Sequence, residues 1–140
     1  MLRDYSRLNT FSKVLRNNAE VYSNIPCIRE KEFGIWQTST WKDFYHQAQV
    51  LSLGLREKGL KRGDKISIIG DNRPSLYITI AAAQLIGAVP VPCYQDSVAL
   101  ELQYILEHAE VKIVVVENQE QVDKVLEILD KLPNLKTIFY

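Results

Sequence analysis

From Lys65 to Tyr140 the chain alternates short β-branched runs with helical segments, and that alternation limits the fold more than any other feature. Lys65-Ile66-Ser67-Ile68-Ile69 reads as a buried strand, because it is apolar on both faces. Asn72-Arg73-Pro74 then opens a helix over residues 75–86, since proline suits the first helical turn. That helix is apolar nearly all round, so it should pack on more than one neighbour. Gly87 caps it, and residues 88–92 form a short strand. Asp96 or Ser97 is expected to cap the next helix, whose inner face would be Val98, Leu102, Ile105, Leu106 and Ala109. Residues 112–116 read as a strand. Val122, Val125, Leu126 and Leu129 mark a further helix stopped by Pro133, and residues 136–140 make one more strand. Strands separated by helices pair in parallel through right-handed crossovers, so the expected fold class is α/β with a mostly parallel sheet.

Upstream, residues 1–10 are expected to form a loose arm. Phe11, Val14, Leu15, Ala19 and Tyr22 recur at helical spacing, and Asn24 and Pro26 stop that helix. Two extended runs, 27–30 and 34–38, suggest a β-hairpin joined by Glu30-Lys31-Glu32. Thr40-Trp41-Lys42-Asp43 is a capping box with a carboxylate in third place. It starts a helix with the stripe Trp41, Phe44, Tyr45, Ala48, Leu51 and Leu55, and Gly59 should end it in a left-handed cap. Lys61-Arg62-Gly63-Asp64 supplies the turn into the first parallel strand.

At 140 residues the chain has the size of one domain, and 46% hydrophobic content argues against general disorder. Lys plus Arg and Asp plus Glu number 17 each, a balance that argues against the basic face a nucleic-acid footprint requires. The mixed run of Glu57, Lys58, Lys61, Arg62, Asp64 and Lys65 reads as a solvated helix end and turn. Cys27 and Cys93 match no metal-ligand spacing and read as reduced structural thiols; no metal ligand is assigned. The apolar run 78–91, interrupted by Gln84, Gly87 and Pro90, is too short to span a bilayer. With no apolar leader at the start, a cytoplasmic location is expected, with peripheral contact at the inner membrane face left open.

Ligands in an open parallel sheet gather at the carboxyl ends of the strands. Here those ends are Gly70-Asp71-Asn72, Cys93-Tyr94-Gln95-Asp96 and Glu117-Asn118, each of which also serves as a turn into a helix. The six glycines form neither GxGxxG nor GxxxxGK[ST], so neither standard phosphate cradle is present. His46 and His108 lie on helices without a nucleophile or metal partner nearby in sequence. Ser67 and Ser97 lack a GxSxG elbow. Tyr94 is an aromatic at a strand end, where it could stack on a flat ligand.

Taken in order, Thr40-Trp41, Gly54-Leu55, Gly59-Leu60, Gly63-Asp64-Lys65-Ile66-Ser67-Ile68, Asn72-Arg73-Pro74 and Gly87-Ala88-Val89-Pro90-Val91-Pro92 resemble the opening of adenylate-forming enzymes. Tyr94-Gln95-Asp96-Ser97, Glu101 to Leu106 and Val115 to Gln121 resemble long-chain acyl-CoA synthetases of the bacterial type. The resemblance implies a ligase that makes an acyl-adenylate from ATP and a fatty acid, then passes the acyl group to coenzyme A. ATP, Mg2+ and coenzyme A would be its cofactors and substrates. It also implies that 1–140 is a partial N-terminal subdomain of a larger domain. The family's Ser/Thr/Gly-rich loop ending in Pro-Lys, its aromatic-Gly-x-Thr-Glu segment, its ribose-binding Asp and its mobile-domain lysine do not occur here. No catalytic residue carries over, and the piece alone is expected to be inactive and prone to self-association. By resemblance, Tyr94, Gln95 and Asp96 lie on the coenzyme A side. Related acetyl-activating enzymes show aromatic-Gly-Gly at that place, and Gln95 and Asp96 depart from it.

Two alternatives stand beside this expectation. A stand-alone receiver-like module fits the size and the alternation, but Asp71 has no acidic neighbour in sequence. A related enzyme using another acid, or a carrier protein as acceptor, fits equally well, because the family's acid pocket is built mainly outside these residues.

Overall fold

A computed structural model describes residues 6–140. Residues 1–5 of the expected arm lie outside the described residues, and residues 6–10 carry no helix or strand. Helix α1 (Phe11–Val21) follows, its first turn capped by the Thr10 hydroxyl, which accepts from the Lys13 N–H. Strands β1 (Pro26–Glu32) and β2 (Ile35–Thr40) pair antiparallel. The expected connector Glu30-Lys31-Glu32 is therefore strand. The turn is Phe33-Gly34, with φ of 48° and 82°. Two positive-φ residues in a two-residue loop match the right-handed twist of the flanking strands. The sequence hides this turn because Phe stands where Asn or Asp is usual.

Helix α2 (Trp41–Glu57) starts on the expected capping box. The Asp43 N–H donates to Thr40 Oγ1 at 3.2 Å, and the Thr40 N–H donates to Asp43 Oδ2 at 3.0 Å. Then come β3 (Lys65–Gly70), α3 (Pro74–Leu85), β4 (Val89–Tyr94), α4 (Ala99–His108), β5 (Ile113–Val116), α5 (Gln119–Glu127), a 3-10 turn over Leu129–Lys131 and β6 (Thr137–Phe139). The four later strands form one parallel sheet in the order β4-β3-β5-β6. Helices α2 and α3 cover one face, where Leu55, Ile66, Ala82, Ala83 and Ile113 are buried together, and α1 packs on α2 and α3 through Leu15, Phe44 and Ala48. Helices α4 and α5 cover the other, over Ile69, Cys93, Leu102, Leu106, Val114 and Val125. As expected of an all-round apolar helix, α3 meets α1, α2, β1, β3 and β4.

Three helices end alike. The residue after each helix's left-handed position donates back to a carbonyl five residues earlier: Leu60 to Leu55 at 3.1 Å, Ala88 to Ala83 at 2.9 Å and Val111 to Leu106 at 3.0 Å. This is the Schellman cap, and its left-handed residue is Gly59, Gly87 and, against the usual choice, Glu110 with φ 53°. Leu60, Ala88 and Val111 are all buried, so each cap steers the chain into the core as the next strand approaches.

Two expectations about helices need correction. Helix α4 is not capped by Asp96 or Ser97, which lie in the turn after β4. Its N-cap is Val98, whose N–H donates to Glu101 Oε2 at 3.4 Å and whose side chain is exposed, so it leaves the expected inner face of Leu102, Ile105, Leu106 and Ala109. In α5 the inward residues are Gln121 and Val125, continued by Ile128 and Leu132, whereas Leu126 and Leu129 are exposed. The helix starts at an Asn118 cap, four residues before the first residue of the expected stripe, and gives way to a 3-10 turn beyond Ile128.

Val89 donates to Asp64 O at 2.8 Å, so the alternate residues Pro90 and Pro92 turn their nitrogens to the outer edge of the sheet. Proline is tolerated in strands at such edges. At the amino ends, Lys112 Nζ meets Asp64 Oδ1 at 2.6 Å, while Asp64 Oδ2 accepts from the Lys61 N–H at 2.9 Å. These bonds hold the Asp64 carboxyl below the usual aspartate range, the Lys112 bond being the larger cause. Among the described residues no helix is long and apolar enough to cross a membrane.

Candidate functional site

Beside β3, the crossover to β4 runs over the face carrying α3, and the crossovers into and out of β5 run over the opposite face. The segments leaving the carboxyl ends of β3 and β5 therefore diverge. That divergence is the topological switch at which open α/β sheets take ligands. Two adjoining cavities open there. One, about 260 Å³, lies over the ends of β3 and β5 and is lined by Ile68, Gly70, Asp71, Arg73, Thr79 and Glu117 among others. The other, about 490 Å³, lies over β3 and β4 and is lined by Asp71, Asn72, Tyr77, Tyr94, Gln95 and Asp96 among others.

Gly70 makes the first cavity's floor. A Cβ there would stand 2.9 Å from both Cβ and Oε2 of Glu117, so only glycine lets the Glu117 side chain cross the end of β3. Glu117 then accepts from the Asp71 N–H. Its other oxygen lies 3.3 Å from Arg73 Nε, which is also 3.4 Å from Glu30 Oε1 on β1. The loop is fixed further by the Asn72 N–H donating to Asp71 Oδ1 at 2.7 Å and by the Tyr77 hydroxyl donating to Asn72 Oδ1 at 2.5 Å. Arg73 thus ties the hairpin, β3 and β5 together at the mouth of the site.

The sequence-assigned residues Tyr94, Gln95 and Asp96 come together on the turn closing β4 and share the second cavity with Asp71 and Asn72. The Tyr94 ring is 85% exposed. The Gln95 carbonyl accepts from Lys124 Nζ at 2.7 Å, and Lys124 also pairs with Glu120 at 3.0 Å. Sequence reasoning missed Arg73 and Glu30 as site residues, and it missed that Asp71 has an acidic companion in Glu117, 46 residues away. The strand-end rule pointed at both loops. Their adjacency depends on the strand order, which no local pattern encodes.

The mouth carries Glu30, Asp71, Asp96 and Glu117 against Arg73 and Lys124, an acidic balance that disfavours a phosphate at the crevice itself. Among the described residues, Ser67, Cys27 and Cys93 are placed for packing. Ser67 is buried, donates to Val91 O at 3.0 Å and lies 3.4 Å from Cys93 Sγ. Burial raises both cysteine thiols, Cys93 and the half-buried Cys27, which makes them less reactive. His46 is exposed on α2, and His108 stacks on Tyr104 with ring centroids 5.7 Å apart. Among the described residues no three acidic, histidine or cysteine side chains cluster as a metal site. The strand order alone also suits receiver-like sheets; what separates the readings is similarity to known proteins.

Residues 15–140 match the family model described as AMP-binding enzyme. The chain is 29% identical over 129 residues to the long-chain-fatty-acid–CoA ligase ACSBG2 of Xenopus laevis, covering 92% of this chain and 18% of that one. It is 30% identical over 130 residues to the Mus musculus protein of the same name, covering 92% and 20%. It therefore spans about a fifth of the length of these relatives. Its fold matches that of a Mycobacterium tuberculosis fatty acyl CoA synthetase with a TM-score of 0.85 at 19% identity, over 95% of this chain and 26% of the other.

Proposed function

The chain belongs to the AMP-binding enzyme family, and on that premise we propose that 1–140 is the N-terminal subdomain of a longer adenylate-forming acid–CoA ligase. In the proposed reaction a carboxylate attacks the α-phosphate of ATP, releasing pyrophosphate. The coenzyme A thiol then displaces AMP from the acyl-adenylate. The observation that carries the reading is the family match along nearly the whole chain. The acid is a long-chain fatty acid, a choice supported by what the two curated relatives are called.

The parts divide as follows. The switch-point crevice holds acids and one arginine and no phosphate cradle, so the groups that hold ATP and Mg2+ belong to other segments of the longer enzyme. This subdomain contributes the sheet and its carboxyl-end turns. Tyr94 stacks on the adenine of coenzyme A, and the Gln95-Asp96 turn borders it. Because Lys124 already occupies the Gln95 carbonyl and Asp96 repels phosphate, this contact is weak and made through the ring.

Titration calorimetry on the 140-residue chain tests both parts. ATP should give no saturable heat, whereas coenzyme A should bind with a dissociation constant on the order of millimolar and lose that binding in Tyr94→Ala. Tight, saturable ATP binding would overturn the division of labour. Coenzyme A binding indifferent to Tyr94→Ala would remove Tyr94 from the site. In the longer enzyme, pyrophosphate exchange should run faster with palmitate than with acetate, and the reverse preference would refute the long-chain reading.

A further inference from the structure

The β1–β2 hairpin ends in an apolar tip that the fold does not use. Phe33 is 97% exposed, Ile35 65% and Trp36 64%. Phe33 forms the apex, while Ile35 and Trp36, adjacent on β2, point to opposite faces of the ribbon. The tip is therefore apolar at its point and on both sides. The local backbone makes this costlier. Phe33 sits at φ 48°, a left-handed conformation that asparagine or glycine adopts with less strain. A turn selected for hairpin stability alone would not hold a bulky aromatic there.

The two faces of the ribbon differ in charge. Strand register sets Glu30 opposite Gln37 and Glu32 opposite Ile35 on one face, and this face leans on the body, where Glu30 meets Arg73. The other face carries Arg29 opposite Thr38 and Lys31 opposite Trp36. Arg29 and Lys31 are exposed, and neither has an ion-pair partner among the described residues. The outward face thus presents two free cations beside an indole and no carboxylate. Cations flanking a tryptophan behind an apolar point complement an anionic lipid surface: the cations meet headgroups, the indole sits at their level and the apex enters the acyl boundary.

We propose that this hairpin tip is an interfacial anchor for anionic membranes, with Phe33 and Trp36 inserting and Arg29 and Lys31 contacting phosphate headgroups. The Glu30–Arg73 contact fixes the ribbon beside the switch-point crevice, so an anchored tip would bring that crevice close to the lipid surface. The anchor does not depend on which acid the enzyme activates.

The test is cosedimentation of the 140-residue chain with phosphatidylcholine vesicles that contain or lack phosphatidylserine. Trp36 emission is followed at the same time in a Trp41→Phe background, where it is the single indole. Binding to the anionic vesicles, weakened by salt, with blue-shifted Trp36 emission quenched by brominated acyl chains, is the expected result. Phe33→Asn should weaken partitioning about tenfold, the scale of withdrawing one phenyl group from an apolar medium, and Lys31→Glu should weaken it further. Phe33→Asn also relieves the strained turn, so it should melt at or above the parent temperature, which rules out misfolding as the cause of lost binding. Trp36 emission unmoved by vesicles, equal binding to neutral vesicles, or binding unchanged in Phe33→Asn would each overturn the proposal.

Discussion

The parallel sheet and the β1–β2 hairpin are held by opposite means. In the sheet, long-range packing sets each element: Leu102, Leu106, Ile69 and Val114 are buried together although they come from three separate segments. The hairpin has only its cross-strand register, a seat for Cys27 and Ile28 on the helices and the Glu30–Arg73 tie. Both regions place a non-glycine residue at positive φ, Glu110 in one and Phe33 in the other. Behind Glu110 the next residue, Val111, is 2% exposed, so its burial offsets the strain. Behind Phe33 nothing is buried. Strain offset by packing belongs to the scaffold, and strain left uncompensated marks a part selected for something other than stability.

The largest expected contrast comes from truncating one apolar residue in each region. Leu102→Ala should destabilise by about 3 kcal/mol through lost burial and the cavity left behind. Trp36→Ala should change stability by less than about 0.5 kcal/mol. Urea unfolding followed by far-ultraviolet dichroism measures both, and a Trp36 cost near that of Leu102 would erase the distinction between the regions. The second test asks what closes the amino ends of the sheet. Asp64→Asn removes a charged hydrogen bond to the partly exposed Lys112 and should cost about 1 kcal/mol at neutral pH. Because the folded state lowers the Asp64 carboxyl, its contribution is full above the ordinary aspartate value, 3.8, and is lost as pH falls through the lower folded value. Parent and variant should therefore converge in stability under acid, and a gap that stays constant below pH 3.8 would contradict the assignment. The smallest effect concerns the left-handed cap. Glu110→Gly should stabilise by about 0.5–1 kcal/mol by removing strain at C′, and a destabilised variant in thermal melts would show that the Glu110 side chain does more for the fold than its strain costs.

How far the sequence foretold this molecule depended on how local each signal was. The capping box at Thr40, Pro74 at the start of α3 and the cap at Gly59 depend on residues a few positions apart, and all three stand where expected. The α/β class followed from alternation alone. The misassignments each involved a competing local rule. Asp96 and Ser97 carry capping side chains but belong to the turn after β4. The Phe33 turn violates the residue preference used to find such turns. Helix α5 starts at Asn118 and passes into a 3-10 turn, and its buried face excludes Leu126 and Leu129. At the candidate site, the loops were legible as strand ends, but the meeting of Glu117 with Asp71 and Arg73 was not. It requires knowing that β5 lies beside β3, and Gly70 permits it without announcing it.

Pro90 and Pro92 have a consequence for how this sheet can be extended. With their nitrogens on the outer side of β4, that edge lacks the donors a neighbouring strand would need at two successive outward positions. At the opposite edge, β6 carries no proline in Thr137–Phe139 and keeps its full set of donors and acceptors. The β6 edge is therefore better equipped than the β4 edge to accept a further strand. A strand added there, whether of the same polypeptide or of another copy, lies at the far side of the sheet from the β4 rim and the Tyr94 turn.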